Sequence, residues 1–483
     1  MSDFKAFDTH HVDNQPRVLE GFNAFDSDPM LQAAVAHYGA GWARPQLSAY
    51  GAVAGSELLE QGRLANENPP RLKAFDRFGH RIDEVEFHPA YHRCMSLAME
   101  HGLHAFAWWH ADRPAAHVAR SAITYQHAQF EAGTGCPLTM TYAAIPALRH
   151  SPGLAAVWEP RLTSQHYDPR VLPAADKRGC TIGMGMTEKQ GGSDVRTNTT
   201  RAVAQADGHY ALIGHKWFFS APMCDAWLVL AQASDGLSCF LLPKVLDDGT
   251  RNAIHIQRLK DKLGDRSNAS SEVEFLDAFG WRVGDEGRGV ATILEMVALT
   301  RLDCMIGSSA LMRQACVQAL HHAQHRQVFG KRLVEQPLMR NVLADLALES
   351  EAAIALTMRV ARAVDAGARD TGEAALARIA TGVGDECAVE IRDKAVAARI
   401  AALLSEEQRR QWTGLAEYLG GDVGGGGGRQ DQAQSKNRKR GAHPCLLPGS
   451  PERNRVSERG DESFRVEHRC LRSGLSVLTT QAR

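Results

Sequence analysis

The chain has 483 residues, 44% apolar and 23% charged, with a formal net charge of −1. That length holds two or three domains, the composition is that of a soluble globular protein, and the near-zero charge leaves no global basic field to attract nucleic acid. Ten scattered cysteines without a C-x-x-C pair argue against a disulfide scaffold or a Cys-type zinc site and fit a reducing, cytoplasmic compartment. The start lacks a secretory apolar core, and no run reaches the ~18 apolar residues of a membrane span.

Residues 1–30 are polar and turn-rich, with Asn14-Gln15-Pro16 and Asp26-Ser27-Asp28-Pro29 as loops. They read either as a structural extension or as a frayed terminus. Residues 31–178 read as a helical domain. Apolar residues recur at spacings of three and four over 31–38 and 56–64, and Asn66-Glu67-Asn68-Pro69-Pro70 stops the second helix. Residues 97–109 read as one apolar helix ending in Trp108 and Trp109, and residues 136–144 as a small-residue helix after a glycine-rich turn. His88 with His92, and His321 with His325, have the i, i+4 spacing of helical metal ligands. Neither pair carries the H-E-x-x-H glutamate, and Glu86 and Cys94 each lie two residues from a histidine, on another face. No metal site is expected.

The stretch 181–195, T-I-G-M-G-M-T-E-K-Q-G-G-S-D-V, starts as a buried strand and breaks at Gly191-Gly192. Paired glycines let a backbone approach a ligand and take positive φ. Thr187 and Ser193 flank the turn with hydroxyls. Residues 211–220, A-L-I-G-H-K-W-F-F-S, end in aromatic bulk and the hydroxyl of Ser220. Open backbone, hydroxyls and an aromatic wall suit a flat, polar-edged ring; the same parts also build ordinary turns and sheet cores. Asp207-Gly208 and Asp235-Gly236 mark hairpin turns, with paired strands over 227–232 and 237–242. Residues 179–284 thus form a strand-rich domain, a small antiparallel barrel. Helix returns over 285–380, long and apolar at 290–312, followed by A-Q-H-R-Q-V-F-G-K-R-L-V-E-Q-P-L over 323–338.

M-T-E-K-Q-G-G-S-D at 186–194, G-H-K-W-F-F-S at 214–220, K-L-G-D-R-S at 262–267 and R-Q-V-F-G at 326–330 together resemble the acyl-CoA dehydrogenase family, closest to its AidB-type branch of adaptive-response flavoproteins. The likeness runs from about Asn14 to about Ile379. It implies a multi-domain α+β fold: an N-terminal helical domain, a middle antiparallel β-barrel domain and a C-terminal helical bundle, here truncated. It implies FAD as cofactor, lined by Met184, Gly185, Met186, Thr187, Glu188, Lys189, Gln190, Gly191, Gly192 and Ser193, with Phe218, Phe219 and Ser220 at its other edge. Thr187, Ser193 and Ser220 would be its hydrogen-bonding hydroxyls. Arg326 would pair with the pyrophosphate of a flavin held mainly by a neighbouring subunit, since a guanidinium fork suits phosphate oxygens, and Phe329 and Gln336 would approach its nucleotide end. Without the motif, Arg326 reads as a solvated helix charge. The resemblance further implies an acyl-CoA-like small molecule as ligand, duplex DNA as partner, a role in the DNA alkylation response, a homotetramer assisted by residues 1–30, and no membrane.

From residue 381 to 483 the family pattern is absent. Gly424 to Gly428 is a glycine run, residues 436–440 are a basic run, and the end is rich in Pro, Ser and Arg. Such composition cannot bury enough surface to offset ordering entropy, so a frameshift or rearrangement near residue 380, with a largely disordered tail, is the simplest expectation. The segment expected to hold the adenine side, the DNA-binding surface and, in many members, a catalytic glutamate is then missing. The alternative base position falls at Thr300, which is no carboxylate, and Glu295 and Asp303 point elsewhere on that helix. No catalytic base is assigned. Three readings follow: an FAD-dependent oxidoreductase acting on CH-CH groups of short or branched acyl-CoA thioesters, an AidB-type flavoprotein with DNA binding and weak dehydrogenase activity, or a truncated, inactive relative.

Overall fold

The computed structural model describes residue 9, residues 12–367 and residues 370–382. Helix α1 (Pro29–His37) begins at Asp28, whose carboxylate accepts from the Leu31 amide at 3.0 Å and so satisfies one of the orphan donors of a helix start. Helices α2 (Arg44–Val53) and α3 (Leu59–Glu67) form one rod joined by a π turn at Ala54–Leu58. The helix read at 56–64 therefore starts earlier than its apolar pattern indicated. Gly55 lies in this rod because the N-terminal segment packs against it: a Cβ there would stand 1.9 Å from Phe22 O.

An antiparallel hairpin interrupts the helices, β1 (Arg71–Phe75) against β2 (Arg81–Glu86). The single helix expected over 97–109 is in fact two, α4 (Pro89–Glu100) and α5 (Phe106–Trp109). Gly102, at φ +78°, turns the chain between them, and the Trp109 ring fills the space that a side chain at Gly102 would need. Helices α6 (Ala116–Ala128), α7 (Gly135–Leu148) and α8 (Pro152–Leu162) complete this part.

The middle strands are β3 (Ile182–Gly185), β4 (Arg201–Ala204), β5 (Tyr210–Ser220), β6 (Ala226–Ala233), β7 (Gly236–Pro243), β8 (Ile254–Leu259) and β9 (Ser270–Val283). They form one seven-stranded sheet in the order β3-β5-β4-β6-β7-β9-β8, rolled into a barrel-like shape by extra β3–β6 and β5–β9 pairings. Most neighbours are antiparallel, but β3 and β4 run parallel to β6. Helix α9 (Gly289–His325) follows, then a short hairpin of β10 (Gln327–Val328) and β11 (Lys331–Arg332), then α10 (Pro337–Ala366) and α11 (Thr371–Gly382).

Two apolar cores result among the described residues. One joins the sheet to α7, α8 and the first part of α9; the other joins the N-terminal helices to the rest of α9 and to α10. Asp365 of α10 accepts from the His117 and Val118 amides at 2.8 and 3.0 Å, capping α6 from another helix where Ala115 offers no side-chain acceptor. No helix among the described residues is long and apolar enough to cross a membrane. The segment read as 381–483, with its glycine and basic runs, lies outside the described residues apart from its first two positions.

Candidate cofactor site

The site starts from strand alternation. In β3 and β5, Met184 pairs with Ser220 and Gly185 with Phe219, so each pair shares one face of the sheet. Phe219 faces the core, with ring centroids 4.9 Å from Trp227 and 6.0 Å from Phe275. Gly185 lies beneath it: a Cβ would stand 2.6 Å from Phe219 Cδ2. The Phe219 ring and the space over Gly185 are thus on the core side of the sheet. Met184 and Ser220, on the other side, are half-buried. A register shift between Lys216 and Phe219 puts both Trp217 and Phe218 outward, as an inserted residue in a strand does. Phe218 is 50% exposed. The Lys260 ammonium sits 4.4 Å from its ring centroid and 3.6 Å from that of Trp217.

The segment after β3 is a shelf held from beneath. Glu188 is fully buried and ion-pairs with Lys216 at 2.8 Å, both side chains at 0% exposure. Its carboxylate also accepts from Gln190 Nε2 at 2.7 Å, from the Thr199 amide at 2.7 Å and hydroxyl at 3.0 Å, and from the Thr200 amide at 3.2 Å. Burial alone would raise the carboxyl, but the Lys216 charge and these donors outweigh it and hold Glu188 well below the usual carboxylate range. Asn198 Nδ2 donates to Met186 O at 2.9 Å, and the Trp217 amide donates to Thr187 O at 2.8 Å. The side chain of Glu188 therefore builds the shelf rather than facing outward from it, and Gln190 is drawn into the same network. The Lys189 amide donates to His215 Nε2 at 3.1 Å.

Above the shelf the chain is open. Gly191 has φ +140°, a conformation that needs glycine, and a Cβ there would meet nothing within 4 Å. Gly192 makes room for Thr187, whose Oγ1 would lie 2.5 Å from an added Cβ. The hydroxyls of Thr187, Ser193 and Ser220 make no hydrogen bond among the described residues, and none of the three residues is fully buried. Three unpaired hydroxyls, an open glycine and an exposed aromatic edge fit a flat ring with a polar rim.

The second predicted group lies elsewhere in the chain. Arg326 Nη1 donates to Asn14 O at 2.8 Å, and Asn14 also pairs with Gln327 at 2.7 and 2.8 Å. Phe329 and Gly330 form the tip of the β10–β11 hairpin at φ +54° and +73°, with Phe329 95% exposed. Gln336 Nε2 donates to Val328 O at 3.2 Å. Among the described residues no hydrogen bond joins these groups to the shelf. The acidic candidates on α9 are occupied. Asp303 is buried against Arg120, with Arg120 Nη2 to Asp303 Oδ2 at 2.7 Å, and Glu295 pairs with His150 at 2.9 Å on the surface. Thr300 donates to Val297 O at 3.0 Å. His88 caps α4 by accepting from the Ala90 amide, His92 bonds Tyr167 Oη at 2.9 Å, and His321 bonds Arg17 O at 2.6 Å. Sequence reading missed the Glu188–Lys216 support, although both residues stand inside its two motifs, and it missed Lys260.

A barrel-like sheet between helical parts, carrying this shelf on β3 and β5, is the architecture of an acyl-CoA dehydrogenase. Three family descriptions match the chain: Adaptive response protein AidB N-terminal domain over residues 14–169, Acyl-CoA dehydrogenase middle domain over 183–278, and Acyl-CoA dehydrogenase C-terminal domain over 287–413. The chain belongs to the acyl-CoA dehydrogenase family, among its AidB-like members. It is 53% identical over 375 residues to the AidB protein of Escherichia coli (strain K12), covering 77% of this chain and 69% of that one. It is 30% identical over 352 residues to acyl-CoA dehydrogenase family member 11 of Caenorhabditis elegans, covering 70% and 56%. The crystal structure of C. elegans ACDH-11 in complex with C11-CoA is similar with a TM-score of 0.73 at 27% identity, covering 87% of this chain and 73% of that one. The C-terminal match reaches residue 413, past the Ile379 at which the motif likeness ended.

Proposed function

We propose that this chain is an AidB-type flavoprotein that binds FAD on the β3–β5 shelf and accepts an acyl-CoA-like thioester against it. The observation that carries the reading is the set of unpaired hydroxyls on Thr187, Ser193 and Ser220 beside the half-exposed Phe218 and the open Gly191. The ring, when bound, supplies the acceptor for a hydride. The chain's residues do the rest. Thr187, Ser193 and Ser220 orient the polar rim, Met184 and Met186 give an apolar floor, and Phe218 closes one edge with Lys260 above it. The Glu188–Lys216 pair keeps the shelf from moving. In AidB-type proteins Arg326, Phe329 and Gln336 would serve the nucleotide end of a flavin shared with a neighbouring subunit, within a homotetramer.

Removing the acidic α-proton of a thioester needs a positioned carboxylate. Asp303 and Glu295 are both engaged, and Thr300 is no base. We therefore propose weak dehydrogenase turnover. The AidB-type likeness also supports duplex-DNA binding linked to the DNA alkylation response. Its basic run at 436–440 lies outside the described residues. A salt-dependent mobility shift with duplex DNA tests that part.

The test of the cofactor site is an absorbance spectrum of the purified protein. Oxidised-flavin bands are expected, and Ser220→Ala combined with Thr187→Val should lower FAD retention at least tenfold without changing the fold by circular dichroism. A protein that stays colourless with added FAD overturns the reading. Rapid bleaching of bound flavin by a short branched acyl-CoA would overturn the weak-turnover part alone and favour a working dehydrogenase.

A further inference from the structure

A cavity of about 330 Å³ lies where α4 and the β1–β2 hairpin meet the sheet. It is lined by Thr181, Asp225 and Lys244, at the end of β3 away from the shelf, and by Tyr91, Tyr167 and Met223. Its charges can be followed pair by pair. Asp225 bonds Lys177 at 2.5 Å and accepts from the Thr181 amide at 2.8 Å. Asp168 holds Arg170 at 2.6 Å, Glu86 holds Lys73 at 2.6 Å, and Glu84 pairs with Arg251 outside the cavity. Every lining carboxylate is therefore matched. One lining cation is left over: Lys244, partly buried, forms no ion pair and no side-chain hydrogen bond among the described residues. Burial lowers its ammonium to about 8, against the pull of Asp225, which is the response of a cation short of a counter-charge. Tyr91 is 1% exposed, stacks on Phe87 at 3.9 Å, and its hydroxyl has no partner among the described residues. A buried hydroxyl without a partner costs free energy that a ligand oxygen would recover.

We propose that this cavity is a binding site for a small organic monocarboxylate, held between the Lys244 ammonium and the Tyr91 hydroxyl with its carbon chain against Met223 and Tyr167. One unmatched positive charge suits a monoanion, whereas a phosphate dianion would leave a buried negative charge uncompensated. The carboxylate has two possible sources. It can be a free acid. It can also be the far end of an acyl chain whose thioester lies on the sheet, since Thr181 is three positions from Met184 along the chain (184 − 181) and Met223 three from Ser220 (223 − 220). Only the second source rests on the proposed acyl-CoA function.

Isothermal titration of the full chain with sodium butyrate and with butyramide, which needs no variant, is the first test. Butyrate should bind at least tenfold more tightly than its neutral amide, and Lys244→Met and Tyr91→Phe should each remove that preference. If butyrate fails, glutaryl-CoA should bind at least tenfold more tightly than pentanoyl-CoA, again only with Lys244 present, and the site then serves the acyl terminus. Equal binding of charged and neutral partners in both comparisons, or preference that survives both substitutions, overturns the site. The butyrate arm reads without FAD, so its outcome is independent of whether the shelf binds flavin.

Discussion

Glu131 shows how one carboxylate can be committed to structure. It is 1% exposed and accepts from the Gly133 amide at 3.0 Å and the Thr134 amide at 2.7 Å, and from the hydroxyls of Thr134 and Ser267. Ser267 belongs to the loop between β8 and β9, so Glu131 fastens the loop before α7 to the sheet. Burial works to raise its pKa, but His127 and the hydroxyl donors outweigh this and bring it to about 2 from the usual 4.5. The folded value lies below the unfolded one. The stabilisation is therefore complete above about pH 4.5 and is lost as pH falls toward 2, with an upper limit of about 3–4 kcal/mol at about 1.4 kcal/mol per unit. Urea midpoints measured from pH 7 to pH 3 should fall in the acid range for the native chain. They should fall less steeply for Glu131→Gln, which is less stable at pH 7. Identical slopes for the two proteins would remove Glu131 from the account. Gly133 lies against the same contact: a Cβ there would stand 2.0 Å from Ser267 Oγ, so Gly133→Ala should cost about 1–3 kcal/mol.

At the scale of elements, the β3–β5 pair separates stability from binding. Gly185→Ala pushes a methyl into the Phe219 ring and should lower the unfolding free energy by about 1–3 kcal/mol. Phe218→Ala, on the opposite face and half exposed, should change stability by less than about 0.5 kcal/mol while weakening FAD retention. Thermal melts and flavin content of the two variants check both halves; a large stability loss in Phe218→Ala would place that ring in the core. The motifs themselves were legible because T-E-K-Q-G-G-S-D and G-H-K-W-F-F-S are local strings. Which of their residues turn inward was not. The register shift between Lys216 and Phe219 breaks the simple alternation, and Glu188 turns inward to meet Lys216, in the other motif, and the Thr199 and Thr200 amides, in neither. The β1–β2 hairpin was read as helix although R-L-K-A-F alternates, because its alternation leaves no strand residue fully buried. The break at Gly102 depends on Trp109 folding back over it, a contact that no residue pattern announces.

At the scale of the whole molecule, α9 is the member both cores share. Its residues Ile293, Met296 and Leu299 lie in the sheet core, and Leu302, Met305, Ile306 and Ala310 in the helical core. The changeover falls beside Asp303, which holds Arg120 of α6, and the Arg120 guanidinium lies 3.7 Å from the centroid of the Tyr142 ring on α7. Tyr142 belongs to the sheet core, so this buried ion pair stands at the seam. Removing one partner of such a pair leaves an uncompensated buried charge and costs about 3–5 kcal/mol. If the two cores open as one unit through α9, Asp303→Ala should lower the hydrogen-exchange protection of α6 and of the β6–β7 pair by the same free energy, although β6 and β7 carry no hydrogen bond to Asp303. If the cores are separable, protection should fall in α6 and α9 alone while β6–β7 keeps its native value. The common fall is the expected result, because neither core closes without its own segment of the same 37-residue helix.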